Sequence, residues 1–165
     1  AYAYMNPYIM SRLDVFSNKT NDVLGSSYQT KQALIGVASG GIAGRGIGQS
    51  IQKFSYLPEP VGDSIFAVTA EEWGLLGSTL TIFLFGFIIV YSVLQSDKQK
   101  NQFAKSLIIG LAALIFTQTI LNIASMIGLI PLTGDILPFF SQGGTALIVN
   151  MFQLGLLLQL TKKRI

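Results

Sequence analysis

The chain has 165 residues, half of them hydrophobic and only 12% charged, with no cysteine, no histidine and a net charge of +3. A soluble domain carries about 25% charged residues, so this composition, with a mean hydropathy of +0.54, reads as a membrane protein. It excludes disulfides, Cys-type zinc sites, thiol nucleophiles and histidine acid–base catalysis, and leaves proton transfer at neutral pH to Asp, Glu, Lys or Tyr.

The chain opens on Ala1-Tyr2-Ala3-Tyr4, without Met and without the basic n-region and cleavage site of a signal peptide. It reads as the C-terminal part of a longer protein, and such a part can carry a catalytic residue without being the whole catalyst. Tyr2, Tyr4 and Tyr8 suit an aromatic belt at a membrane interface. Gln32 to Gly44 is uncharged but too short and glycine-rich to span, which points to an interfacial or re-entrant segment. Gly40-Gly41 and Gly44-Arg45-Gly46-Ile47-Gly48 lack GxGxxG spacing, GK[ST] and a surrounding βαβ unit, so they are no phosphate loop. Two readings stand for them: close backbone packing at a membrane surface, or amides and Arg45 touching a phosphate.

Gln52-Lys53-Phe54-Ser55-Tyr56-Leu57-Pro58-Glu59-Pro60-Val61-Gly62-Asp63 is a polar loop running straight into a long apolar segment. An acid at the mouth of a membrane helix reads by default as functional. A helix starting near Ser64 would also let Asp63 serve as its cap. The prolines hold Glu59 on a stiff backbone, and Glu59 with Asp63 could bind a divalent cation or share acid–base work. Glu71 and Glu72 lie about 12 Å further along that helix and, being adjacent, are expected to face different partners. Either Trp73 marks the headgroup level and keeps both acids in the polar interface, or they line a polar cavity inside a bundle.

Charge spacing marks three transmembrane helices, at about 65–95, 104–130 and 144–161. Lys98, Lys100 and Lys105 follow the first, and Lys162, Lys163 and Arg164 follow the last. Both basic clusters are therefore expected in the cytoplasm, with the C-terminus, and residues 1–64 outside it. Ile130-Pro131-Leu132-Thr133-Gly134 and Leu137-Pro138-Phe139-Phe140-Ser141-Gln142-Gly143-Gly144 break the helix between the second and third spans. Such backbone needs protein packing or a wet cavity around it. The fold class is all-α, a polytopic membrane protein with a large extracytoplasmic loop (1–64) before a helical region (65–165). Basic residues are not interleaved with aromatics along one face, so no nucleic acid is expected as partner.

Taken in order and spacing, these stretches resemble the SEDS family, the polytopic membrane proteins of FtsW, RodA and SpoVE type. Leu24-Gly25-Ser26-Ser27-Tyr28-Gln29 and Ser39 to Gly48 look like its large extracytoplasmic loop. The run from Gln52-Lys53 through Tyr56-Leu57-Pro58-Glu59, Asp63, Ile65-Phe66-Ala67 and Glu71-Glu72 to Gly74 looks like the end of that loop and the start of the eighth helix. Gly128 to Gly134 and Leu137 to Gly144 look like the loop between helices nine and ten. Ser64, Trp73 and Gln142 depart from the residues common at those positions in the family.

The resemblance implies a ten-helix peptidoglycan glycosyltransferase in the bacterial plasma membrane, of which about seven helices precede this stretch. It implies polymerisation of lipid II, a class B penicillin-binding protein as transpeptidase partner, and other division proteins nearby. Gln52-Lys53 and Tyr56-Leu57-Pro58-Glu59 lean towards the FtsW type and hence to the division septum. Asp63 is then the essential aspartate and candidate general base. Lys53, Arg45, Glu59, Glu71, Ser141, Gly143 and Gly144 become candidates for substrate contact, and Asp63 with Glu59 for a divalent cation, Mg or Mn. The competing expectations are a lipid II transporter (flippase), an elongation-type RodA-like polymerase, or a scaffold that docks a division transpeptidase.

Overall fold

The computed structural model describes residues 26–57 and 60–162. Tyr2, Tyr4, Tyr8, Leu24, Gly25, Glu59, Lys163 and Arg164 lie outside them. The described residues form helices and connections: α1 Ser26–Ser39, α2 Ile51–Ser55, α3 Ile65–Ser96, α4 Gln102–Met126 and α5 Gly144–Lys162. α3, α4 and α5 are each long and apolar enough to cross a membrane, with mean hydropathies of 2.1, 2.1 and 1.4. They are apolar on every face, as a segment whose solvent is lipid or other protein must be. The chain is an all-α polytopic membrane protein.

α3 packs most extensively on α4, and α1 lies against the first part of α3. A buried cluster that includes Phe66, Phe85, Ile115, Met126 and Leu157 joins the three long helices. Polar ties add register: Gln153 donates to the Leu111 carbonyl at 3.0 Å and Gln99 to the Leu160 carbonyl at 2.9 Å. At the turn between α3 and α4, Asn101 caps α4 by accepting from the Phe103 amide, and Lys105 pairs with Asp97 at 2.8 Å.

The expected second span, 104–130, ends four residues early. α4 stops at Met126; Gly128 takes φ 72°, and the Leu129 amide turns back to the Ala124 carbonyl at 2.9 Å. A left-handed glycine just past a helix end closes off its last carbonyls in this way.

The larger surprise is inside α3. Gly74 sits at φ 67°, ψ −161°, so α3 is two helical segments, 65–73 and 75–96, meeting at a break. Measured from the α3–α4 turn, a straight α3 would carry Asp63 about 50 Å away, while Asn122 of α4 stands about 30 Å away. Yet the Asn122 side chain donates to the Asp63 carbonyl at 2.8 Å. The first segment is therefore folded back at Gly74, and Asp63 comes down to a level about one turn short of the end of α4. The second segment alone is about 33 Å long, enough for a hydrocarbon core of about 30 Å.

Candidate functional site

The break at Gly74 is stabilised by a direct exchange of backbone partners. In an unbroken helix the amides of Leu75 and Leu76 would bond the carbonyls of Glu71 and Glu72. Here those amides go to Gly41 and Ile42 carbonyls at 2.9 and 3.3 Å, and the freed carbonyls accept from Arg45 and Gly46 amides at 2.9 and 3.0 Å. The glycine-rich loop after α1 thus fills the gap and gives partners to two amides and two carbonyls whose orphaning apolar surroundings would make costly. That insertion explains the glycines. A Cβ on Gly44 would meet the Glu72 carbonyl, one on Gly40 the Ala70 carbonyl, and one on Gly74 the Gly44 amide. Close backbone packing is what Gly40 and Gly44 do, while Gly41 and Gly48 have open space around them and take left-handed backbone.

Glu71 is the side-chain half of the same joint. Its carboxylate is 1% exposed and accepts from the Ser50 hydroxyl, the Ile51 amide at 3.1 Å and the Gln52 amide at 3.2 Å, with Arg45 Nη1 at 3.6 Å. Ser50 is also the N-cap of α2, accepting from the Lys53 amide at 3.0 Å. A buried carboxylate on exposed N-terminal amides and a cation is well compensated. Glu72 points to Lys53, whose Nζ stands 4.0 Å from Oε1, and borders an open groove of about 400 Å³ with Trp73, Leu76 and Ile47. As expected of adjacent residues, the two acids face different partners; both sets lie within residues 45–53, because that segment wraps around the break and meets two faces of α3.

Asp63 occupies a second, different setting. It does not cap α3: the N-cap is Ser64, without a side-chain cap bond, and the Ser64 carbonyl receives the Ala67 and Val68 amides. The Asp63 carboxylate accepts at Oδ1 from Gln29 Nε2 of α1 at 3.1 Å and from the Ser64 hydroxyl at 3.2 Å. Among the described residues no hydrogen bond reaches Oδ2, and the residue is half-buried. The loop after α4 comes alongside: the Gln142 amide donates to the Val61 carbonyl at 2.8 Å. Ser141 uses its hydroxyl within that loop, accepting from the Leu137 amide at 2.8 Å, while Gly143 precedes α5 and Gly144 opens it. Phe139 (φ 65°) and Phe140 pack on Phe85 of α3, with ring centroids 6.4 and 6.1 Å away.

The candidate residues therefore divide. Arg45, Lys53 and Glu71 gather at the Gly74 break; Asp63, Ser141, Gly143 and Gly144 gather where the two extramembrane loops meet. Glu59 lies outside the described residues. No cluster of three acids exists among those described, and Asp63 is one carboxylate where a divalent site uses several oxygen donors. The described residues alone do not assemble a metal site. Asn122 escaped sequence reasoning, although an amide inside an apolar run was a signal; Gln29 and Gly74 were named only within the stretches that carry the resemblance, with no role given to either.

Comparison with known proteins follows the same geometry. The FtsW/RodA/SpoVE family, described as cell cycle proteins, matches residues 1–165. The chain is 42% identical over 154 residues to a probable peptidoglycan glycosyltransferase FtsW of Enterococcus hirae, covering 93% of this chain and 39% of that protein. It is 38% identical over 156 residues to stage V sporulation protein E of Bacillus subtilis (strain 168), covering 94% of this chain and 43% of that protein. A chain from a solved peptidoglycan synthase complex that coordinates polymerisation and crosslinking superposes with a TM-score of 0.73 at 25% identity. That match covers 99% of this chain and 44% of the other. The chain thus spans about two fifths of the length of these relatives.

Proposed function

The chain belongs to the FtsW/RodA/SpoVE family of cell cycle proteins, and from that premise we propose that the whole protein polymerises lipid II into glycan strands during cell division, with Asp63 as general base. The observation that carries the assignment to Asp63 is its half-made set of hydrogen bonds. Gln29 and Ser64 hold Oδ1 and fix the carboxylate's direction, while Oδ2 is left for a substrate proton.

The chemistry has two needs. The acceptor sugar hydroxyl must lose its proton as its oxygen attacks the donor's anomeric carbon, and the bond to undecaprenyl pyrophosphate must break. An oriented carboxylate serves the first and contributes about 100- to 10,000-fold. For the second, Arg45 and Lys53 are the candidate cations, but each already faces a carboxylate, Glu71 and Glu72. Their role in this reading is to hold α2 and the glycine loop in place, with Lys53, whose ion pair is the longer at 4.0 Å against 3.6 Å, the better able to turn towards a phosphate. Ser141, Gly143 and Gly144 stay in the reading as the wall opposite Asp63, through the Gln142–Val61 pairing.

A divalent cation, Mg or Mn, belongs to the reading as a shield for pyrophosphate charge. Glu59, substrate oxygens or other parts of the protein must supply donors beyond Asp63, and no step here is routed through the metal. In this reading the protein sits at the division septum with residues 1–64 extracytoplasmic, the side opposite the lysines after α3, and a class B penicillin-binding protein as partner fits the likeness to a synthase complex.

The test is lipid II polymerisation by the full-length protein with its transpeptidase partner, comparing wild type with Asp63→Asn. Loss of glycan product in a mutant that melts like wild type supports the base. Equal product from both sinks it.

A further inference from the structure

We propose that Asn122 is a positioning residue for Asp63, acting from near the end of α4 through the backbone; the proposal rests on the general-base reading above. Asn122 is fully buried on α4, at 0% exposure. An amide in that setting costs free energy unless hydrogen-bonded, and its neighbours show how a polar side chain is ordinarily kept there. Thr119 donates to the Ile115 carbonyl and Ser125 to the Asn122 carbonyl, both on their own helix. Asn122 does neither. Its Nδ2 donates to the Asp63 carbonyl at 2.8 Å and to the Asp135 carbonyl at 2.6 Å, on the two connections that flank α3 and α4.

The orientation is fixed by chemistry. Two carbonyl acceptors require the NH₂ end, since a flipped amide would set oxygen against oxygen. The other end, Oδ1, is buried without a hydrogen-bond partner among the described residues. Asn122 therefore leaves one of its own atoms unsatisfied while pinning two loops, which helix stability alone gives no reason to retain.

The consequence falls on Asp63. Its carboxylate is held from α1 by Gln29, its carbonyl from α4 by Asn122, and the Val61 carbonyl, two residues earlier, accepts from Gln142. The residue is thus anchored from three elements while Oδ2 stays open. Through Asp135 the same amide sets the loop that carries Ser141, Gly143 and Gly144 against Asp63. Removing it should loosen the acid relative to the opposite wall without removing any group that contacts substrate. Displacing a reacting group by about 1 Å costs on the order of 100-fold in rate.

The experiment uses the full-length protein in proteoliposomes and measures kcat and KM for lipid II in Asn122→Leu, Thr119→Val and Asp63→Asn. Asn122→Leu keeps the heavy-atom count and removes the unsatisfied Oδ1, but it also takes the donor from the Asp63 and Asp135 carbonyls, so some stability should be lost and kcat is read per folded protein. The expected result is a kcat lowered about 10- to 100-fold with KM within about twofold, the pattern of a lost transition-state interaction. Thr119→Val, which loses only a bond to its own helix, should keep wild-type kcat. Wild-type kcat in Asn122→Leu beside an inactive Asp63→Asn overturns the positioning role and leaves the base standing. A kcat loss in Asn122→Leu that matches its loss of folded protein overturns it too. Activity in Asp63→Asn overturns the base, and this proposal with it.

Discussion

Two carboxylates sit at the ends of one short helical segment, and their surroundings are opposite. Glu71 is 1% exposed and accepts from one hydroxyl and two amides, with Arg45 beside it. Asp63, two turns earlier, accepts among the described residues only at Oδ1 and is half-buried. A carboxylate offers about four lone-pair sites. Glu71 has nearly filled its capacity with this chain's own donors, so it has nothing to offer a substrate. Asp63 has kept half of its capacity. Acids in or near a membrane are costly in either case, so presence alone does not mark function; the unused acceptor does.

The largest expected effect sharpens the Asp63 side. Asp63→Asn should cut polymerisation by about 100- to 10,000-fold and leave the melting temperature unchanged, read by glycan product gels beside thermal unfolding. Its counterpart is Glu71→Ala, which leaves the Ser50 hydroxyl, two amides and Arg45 without their acceptor. It should lower stability by about 3–5 kcal/mol, with activity falling only as folded protein is lost. If Glu71→Ala instead folds normally and is inactive, the division between the two acids is broken.

The backbone joint gives the next effect. Gly74→Ala places a Cβ against the Gly44 amide and at φ 67°; the backbone conformation alone costs about 1–3 kcal/mol, and the backbone clash adds to it. Faster proteolysis of the 40–57 loop than of the α3–α4 turn would report the release of the inserted segment. The smallest effect belongs to Arg45→Gln. The guanidinium is 38% exposed and 3.6 Å from Glu71, so the change should cost at most about 1 kcal/mol. A loss of polymerisation there with normal melting would return Arg45 to the substrate.

Much of the fold was legible because a membrane imposes one rule. Uncharged runs bounded by Glu72, Asp97, Lys105 and Lys162 had to become helices, and α3, α4 and α5 are those runs. Asp63, too, was legible as an acid at the head of an apolar segment. Its supposed capping of α3 was not, because Ser64 and a bond from α1 decide where that carboxylate turns.

By itself, the sequence determined the class, the three spans and the family, since hydropathy, charge spacing and motif order are properties of the chain read locally. Only the tertiary structure decided that α3 breaks at Gly74 and folds back, that the glycine loop supplies the missing backbone partners, and that Glu71 is consumed while Asp63 is not. Each of these depends on atoms far apart in sequence. Glu71 meets Ser50 across 21 positions, and Asp63 meets Gln29 across 34 and Asn122 across 59. Hydropathy patterns record which solvent a residue prefers, whereas hydrogen-bond saturation is settled only when distant segments arrive at the same carboxylate.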